Sequence, residues 1–325
     1  MMKPIIAIFA LLFIFSCEDS DSVIEDVDFR HEMRQLVIEL SQWSKAQQSD
    51  FIIIPQNGQA LITASGETNG ELQTDYIEAI DGSGRENMFF GYYVDDQETP
   101  EEDKQSLIDL CVLYESHGIE VLSTDYRSTQ SNMDTSYILN EQYGFISFAA
   151  NERELNNIPL YPDSLYNQNA DNILTISDAQ NFLYLINSEN YSDKDTLASA
   201  VSATNYDLII MDLYHDDLAY TSDEIAALKI KANGGSRLVV CYMSIGEAED
   251  YRFYWNLSWS NDEPDWLLEE NPDWQGNYKV KYWSEDWQNI IYGTSSSYLT
   301  TIMDAGFDGV YLDIIDAYEY FEEEG

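Results

Sequence analysis

The sequence predicts an α/β protein of the (β/α)8 TIM-barrel class, and three observations carry that expectation. Eight short apolar runs of strand character recur along the chain, most of them separated by segments of helical periodicity, the alternation that builds a parallel sheet. Eight such repeats in roughly 300 residues fit a closed barrel. An open doubly wound sheet is the alternative, but no GxGxxG follows the first strand of either half, and GSGREN at residues 82–87 fails the spacing. Third, polar residues gather where the runs end: Asn57, Glu86, Asp125, Asn187, Asp212, Ser244, Glu247 and Asp313. Pockets in parallel α/β folds open at the C-terminal ends of strands, so this gathering predicts an anionic pocket.

Taken in order, the chain begins as a targeting segment. Lys3 precedes an apolar run from Pro4 to Phe15, too short to span a bilayer and of the right length for a signal peptide. The run ends IFSC, with small Ser16 before Cys17, which resembles a bacterial lipobox. Residues 1–17 are thus expected to be a lipoprotein signal peptide, with Cys17 lipidated and serving as the membrane anchor. The acidic EDSDS that follows resembles the surface-export signals of some Gram-negative lipoproteins. It gives 18–27 as a tether, and the cell envelope as the location, as an outer-membrane lipoprotein with surface exposure. Residues 28–325 are left for a single-domain barrel.

Within that domain, Phe29, Met33, Leu36, Val37, Leu40 and Trp43 recur at helical spacing over 28–48. FIIIPQNG (51–58) reads as a buried strand stopped by Pro55, and 76–93 holds a second strand region around Glu86. Pro100 followed by Glu101, Glu102 and Asp103 opens a helix that closes near His117 and Gly118. IEVLSTDY (119–126) and FISFAAN (145–151) are the next strands. Residues 152–180 are polar, aperiodic and interrupted by Pro159 and Pro162, and read as a surface linker. Strand and helix then alternate again: strand 181–188, helix 193–204, strand 206–214, helix 222–233 capped by Thr221 or Ser222, strand 237–247. A long irregular stretch, 248–290, precedes a helix at 295–305 and a last strand at 309–315.

Composition narrows the function. Fifteen Lys and Arg stand against 60 Asp and Glu, a net charge of −45. Such a surface repels phosphate backbones and excludes nucleic acid as a natural partner, whereas a cationic substrate complements it. The three histidines have no metal-ligand spacing to one another, so no metal site, no cofactor and no Ser-His-Asp triad is expected. Cys111 and Cys241 lie in apolar helix and strand patterns and read as buried free thiols. In GFDGVYLDIID (306–316), the apolar run is broken only by Asp313. A carboxylate there is costly unless the strand ends at it and the group faces a polar pocket, or caps the next helix.

Six of the seven tryptophans fall between 255 and 287, crowded with Tyr251, Tyr254, Tyr278 and Tyr282 into one loop. Exposed aromatic faces stack on sugar rings, although a loop this long also needs a core of its own, so two or three of these Trp are expected to face ligand. CYMSIGEAEDYRFYW (241–255), NPDWQGNYKVKYW (271–283) and GFDGVYLDIIDAYEYF (306–321) resemble the endo-α-1,4-polygalactosaminidase-like proteins, glycoside hydrolase family 114 in the broad sense. FIIIPQNG, GRENMFFGYY and IEVLSTDY are similar to further segments of that family. In the family these last segments follow the first ones, whereas here they precede them. The resemblance therefore implies a circularly permuted barrel whose ancestral ends are joined through 152–180, with FIIIP pairing in parallel with GVYLDII beneath the helix at 28–48.

The resemblance further implies a retaining glycoside hydrolase acting on α-linked glycans, with galactosamine-containing polysaccharide as candidate substrate. It assigns Asp313 as nucleophile and Glu86 as acid/base; Asp316 is the rival for the first role and Asp212 for the second. Asp212, Glu247, Asp125, Asp316, Asn57, Tyr251, Trp255 and Trp283 are the expected substrate-binding residues. The alternative is a glycan-binding surface lipoprotein that kept the barrel and lost turnover.

Overall fold

The computed structural model describes residues 27–324. The expected signal peptide, Cys17 and all of the tether but its last residue lie outside the described residues. Eight parallel strands form the frame: β1 (Ile52–Pro55), β2 (Gly82–Glu86), β3 (Glu120–Tyr126), β4 (Ile146–Ala150), β5 (Phe182–Leu185), β6 (Leu208–Met211), β7 (Leu238–Ser244) and β8 (Gly309–Asp313). Most of them are apolar runs, as strands buried on both faces require; β2 (GSGRE) and β3 (EVLSTDY) carry more polar residues. They pair in the order β1-β8-β7-β6-β5, with β2-β3-β4 as a second sheet. A parallel bridge between Gln56 and Gly84 joins the end of β1 to β2. Across the other break, Phe148 of β4 meets Phe182 of β5 with ring centroids 5.7 Å apart. This α/β arrangement of parallel sheets is compatible with a TIM-like barrel.

The pairing expected between the two distant apolar runs is present: Ile52 to Pro55 lie beside Gly309 to Leu312, in parallel. The helix Phe29–Gln47 runs beside this seam, capped by Asp28, whose carboxylate accepts the His31 N–H at 2.9 Å. Arg34, buried in the same helix, donates to the carbonyls of Leu61 and Thr63 at 2.8 Å each. Phe29 stacks on Phe321 of the C-terminal helix Ala317–Glu324.

Three departures from the sequence expectation stand out. A helix, Gln130–Tyr143, fills the interval between β3 and β4, where no element was expected. Residues 152–180 are not a detached linker: Leu155, Ile173 and Ile176 are buried, and the Leu155 carbonyl accepts from the Ile186 and Asn187 N–H groups. The stretch 248–290 is ordered as well. Glu247–Glu249, Asn277–Val280 and Leu267–Glu270 make a small antiparallel sheet, and Glu285–Ile291 is helical.

Side chains alternate along a strand with period two, and this decides what the interior contains. Tyr311 of β8 and Tyr184 of β5 meet edge to face, 5.1 Å between centroids, and the Tyr184 hydroxyl donates to Gln56 at 2.9 Å. Gly84 faces the Tyr311 hydroxyl so closely that a Cβ would overlap it. Gly84 thus makes room for a phenol, and Glu86, two residues on, shares that inward face. Gly84→Ala is expected to cost about 1–3 kcal/mol through overpacking. Chemical denaturation would measure it; a loss under about 0.5 kcal/mol would mean that Tyr311 moves aside freely.

Candidate active site

A cavity of about 480 Å³ opens at the C-terminal ends of the strands. The inward parity that places Tyr311 in the interior brings Asp313 to its wall from β8, and Gly84 parity brings Glu86 from β2. Asp212 arrives just after β6, following Ile210 on the same face. Asn57 follows β1 and Asp316 follows β8. All five line the cavity, together with Tyr251.

Glu86 is held by two donors: Asn57 Nδ2 reaches one carboxylate oxygen at 2.8 Å, and the Tyr126 hydroxyl donates to the other. Asn57 also accepts the Glu86 backbone N–H at 3.1 Å, so the two residues clamp each other. The Arg153 guanidinium lies over the Tyr126 ring, 4.0 Å from its centroid, and is itself paired with Asp95. Asp313 accepts from the Tyr242 hydroxyl at 2.6 Å and from the Ile314 N–H at 2.8 Å. Burial, and then the neighbouring charge of Glu86, push the Asp313 carboxyl up to about 7, against the lowering effect of those two donors. Burial, followed by Glu319, pushes Asp316 up to about 6.

The backbone around these groups is unusual. Asn57, Asn87 and Ile314 all have positive φ, at 61°, 58° and 58°. Asn adopts this region readily, but a β-branched residue there is a genuine outlier. Ile314 directly follows Asp313 and lines the cavity. Gly246 packs against it so closely that a Cβ would overlap the Ile314 carbonyl, which shows how tightly the turn is enclosed.

A second cluster stands on the β6 side. Arg252 is buried and bonds the Asp212 carboxylate at 2.6 Å through Nη1 and the Glu249 carboxylate at 2.6 Å through Nε. Tyr251 donates to Glu249 at 2.6 Å. Asp212 is nevertheless held above its ordinary range, because burial outweighs the Arg252 charge.

Four expected binding residues stand outside the cavity lining. Asp125 alternates away from Tyr126 and is fully buried behind the sheet. It accepts the N–H groups of Phe89 and Phe90 and the Ser136 hydroxyl, at 2.8, 3.1 and 2.5 Å. Glu247 is taken up by Asn271 and Asn277 at 2.7 and 3.2 Å, inside the antiparallel sheet. Trp255 packs against Trp259 and Tyr278 as loop core. Trp283 packs on Phe29 and Phe321 at the seam. Of the six clustered tryptophans only Trp274, 57% exposed, lines the cavity. Sequence reasoning also passed over Tyr126, Tyr242, Glu249, Arg252 and Arg153. The first two share inward parity with neighbours already chosen, which is the signal that could have found them. Among the described residues, no group of three or more His, Cys, Asp or Glu is placed to hold a metal ion.

Comparison with known proteins agrees with this picture for the second half of the chain. The model for "Glycoside-hydrolase family GH114" matches residues 164–325, a stretch that includes Asp212, Asp313 and Asp316 and excludes Asn57 and Glu86. An uncharacterized protein of Methanocaldococcus jannaschii is 43% identical over 164 residues, 49% of this chain and 44% of that protein. Uncharacterized proteins of Thermotoga maritima and Deinococcus radiodurans are 43% and 39% identical over 128 and 124 residues, each 38% of this chain. The matching stretch spans 37% and 38% of those two relatives, so less than half of each of the three.

The position of Asp313 has a consequence for stability. Its carboxyl holds a proton more firmly in the folded chain than at its ordinary value of 3.8. The contribution is therefore full below about pH 4 and lost as pH rises through about 7. Asp313→Asn, which needs no proton, is expected to exceed the wild type in stability by on the order of 2 kcal/mol at pH 8 and by little at pH 4. Thermal unfolding at the two pH values checks this; equal differences at both would refute it.

Proposed function

Starting from residues 164–325 as a domain of glycoside-hydrolase family GH114, we propose that this protein hydrolyses α-linked polysaccharide on a circularly permuted (β/α)8 barrel. The observation that carries the reading is the meeting of Glu86 and Asp313 in one cavity, near enough that the charge of one raises the other. The strand order supports a closed barrel, since β1 pairs with β8 and β2 is bridged to β1. The permutation rests on the order of the resembling segments, with FIIIPQNG, GRENMFFGYY and IEVLSTDY ahead of the matched half.

In this mechanism Asp313 attacks the anomeric carbon while Glu86 protonates the departing glycosidic oxygen. Water then enters, Glu86 takes its proton, and the Asp313–sugar bond breaks with net retention. Retention needs carboxyl groups about 5–5.5 Å apart, inversion about 6.5–9.5 Å. Asn57 and Tyr126 orient Glu86, and Tyr242 orients Asp313. With its carboxyl pushed up to about 7 by burial and then by the charge of Glu86, Asp313 must ionise before it attacks. A cationic sugar assists, because an ammonium group nearby stabilises the carboxylate. Glu86, Glu154 and Asp316 line the cavity with no Lys or Arg ion pair among the described residues, while Arg252 and Arg153 are committed to acidic partners, which favours a galactosamine-containing chain over a neutral one.

The test is release of reducing ends from partially deacetylated galactosaminoglycan. Asp313→Asn is expected to abolish turnover while binding persists by calorimetry, and Glu86→Gln to slow poor leaving groups most. kcat/KM for the free enzyme should rise with pH through about 7, the value of Asp313. Binding without any reducing ends in the wild type would leave a glycan-binding protein instead.

Location is part of the same proposal. The leader pattern supports an exported lipoprotein held by a lipid on Cys17. Cys17→Ala should move the processed protein from the membrane to the soluble fraction, since among the described residues no helix is long and apolar enough to cross a membrane. Processed protein that stays in the membrane would contradict the lipid anchor.

A further inference from the structure

The candidate active site does not end at Tyr251. A second hollow of about 850 Å³ lies beyond it, and Asp212, Tyr251 and Arg252 wall both spaces. The shared wall is firm, because Arg252 is locked between Asp212 and Glu249, and its charge is neutralised there.

The second hollow carries its own aromatic surface. Phe253 and Tyr214 stack with centroids 6.0 Å apart, yet Phe253 remains 47% exposed and Tyr251 57% exposed. Aromatic rings of this size left uncovered in a concavity are a surface for a pyranose face, whose C–H groups complement a ring's negative face. Glu189, Asp216 and Asp217 contribute carboxylates to the same lining, and Arg252 is its only cationic residue. Asp216 and Asp217 form the tip of a two-stranded hairpin, Tyr214–His215 with Leu218–Ala219, and line the hollow from there.

We propose that this second hollow is a distal subsite for the same polymer, taking an amino-sugar unit removed from the scissile bond. The sugar ring lies on Phe253 and Tyr251, and its ammonium group faces Asp216 and Asp217. The assignment rests on the polysaccharide-hydrolase reading and adds to it a direction: the chain crosses the Tyr251–Arg252 wall and leaves over the hairpin. Binding should then grow with chain length beyond what one cavity can hold.

Trimers and octamers of α-1,4-linked galactosamine, deacetylated and N-acetylated, are the probes. They are titrated calorimetrically into the wild type, Phe253→Ala and the double variant Asp216→Asn/Asp217→Asn, with reducing ends assayed in parallel. The wild type is expected to bind the deacetylated octamer about tenfold more tightly than the trimer, a difference that both variants largely lose. Trimer affinity and turnover stay unchanged, and the N-acetylated octamer responds to Phe253→Ala but not to the acid pair. Equal binding of both lengths by the wild type, or undiminished octamer binding by the variants, would overturn the subsite. Length-dependent binding with no reducing ends from any oligomer would support the subsite and remove the hydrolase reading alone.

Discussion

The strand Gly309–Asp313 is hydrogen-bonded on both sides, to Ile52–Pro55 and to Leu238–Ser244, and the cavity is arranged by that double pairing. Side-chain direction reverses at every residue of a strand, so a register slip of one would turn Asp313 outward and bring Leu312 into its place. Two neighbours that agree on register leave no such freedom. The alternation explains why Tyr311 and Asp313 act together: the buried phenol fills the interior below, and the carboxylate emerges above it. Gly84 and Glu86 repeat the alternation on β2: the glycine leaves room for the Tyr311 phenol, and the carboxylate emerges above it.

Charge is buried at both ends of the strand Leu208–Met211. Just after it, Asp212 joins Arg252 and Glu249 beside the cavity. Just before it, fully buried Asp207 pairs with Lys231 at 2.8 Å and accepts from Asn169 and Asn181. Buried ion pairs contribute little net stability compared with apolar packing, but losing one partner is costly. Their effect here is positional. The cluster at Asp207 fastens residues 167–181 to the frame, and the cluster at Asp212 fixes the wall beside the catalytic candidates.

How much of this was legible in the sequence depended on how the apolar residues were spaced. Most of the eight frame strands are apolar runs and were readable to within a few residues, whereas Gly82–Glu86, GSGRE, is not one and was placed only within a broader strand region at 76–93. The helix Gln130–Tyr143 was not, because QSNMDTSYILNEQY turns only Met133, Ser136, Tyr137 and Asn140 inward and shows little apolar contrast. The antiparallel sheet at 247–280 was hidden because its strands are only three or four residues long, too short for the alternation in EAE and NYKV to stand out. Strand ends led to three residues that line the cavity, Glu86, Asp212 and Asp313. Asp125 satisfied the same criterion and went elsewhere, because closeness to a strand end does not say which face a residue takes. Arg252 left no spacing signal, since its partners come from two separate elements.

The seam between residues 52–55 and 309–312 bears on the order of assembly. Contacts across it, such as Arg30 with Glu322, join residues 292 apart in the chain. During synthesis the first frame strand has no partner on that side until the strand carrying Asp313 has emerged, and closing so large a loop is slow. Premature completion is therefore barred by connectivity itself, and the nucleophile candidate is among the last groups to be installed.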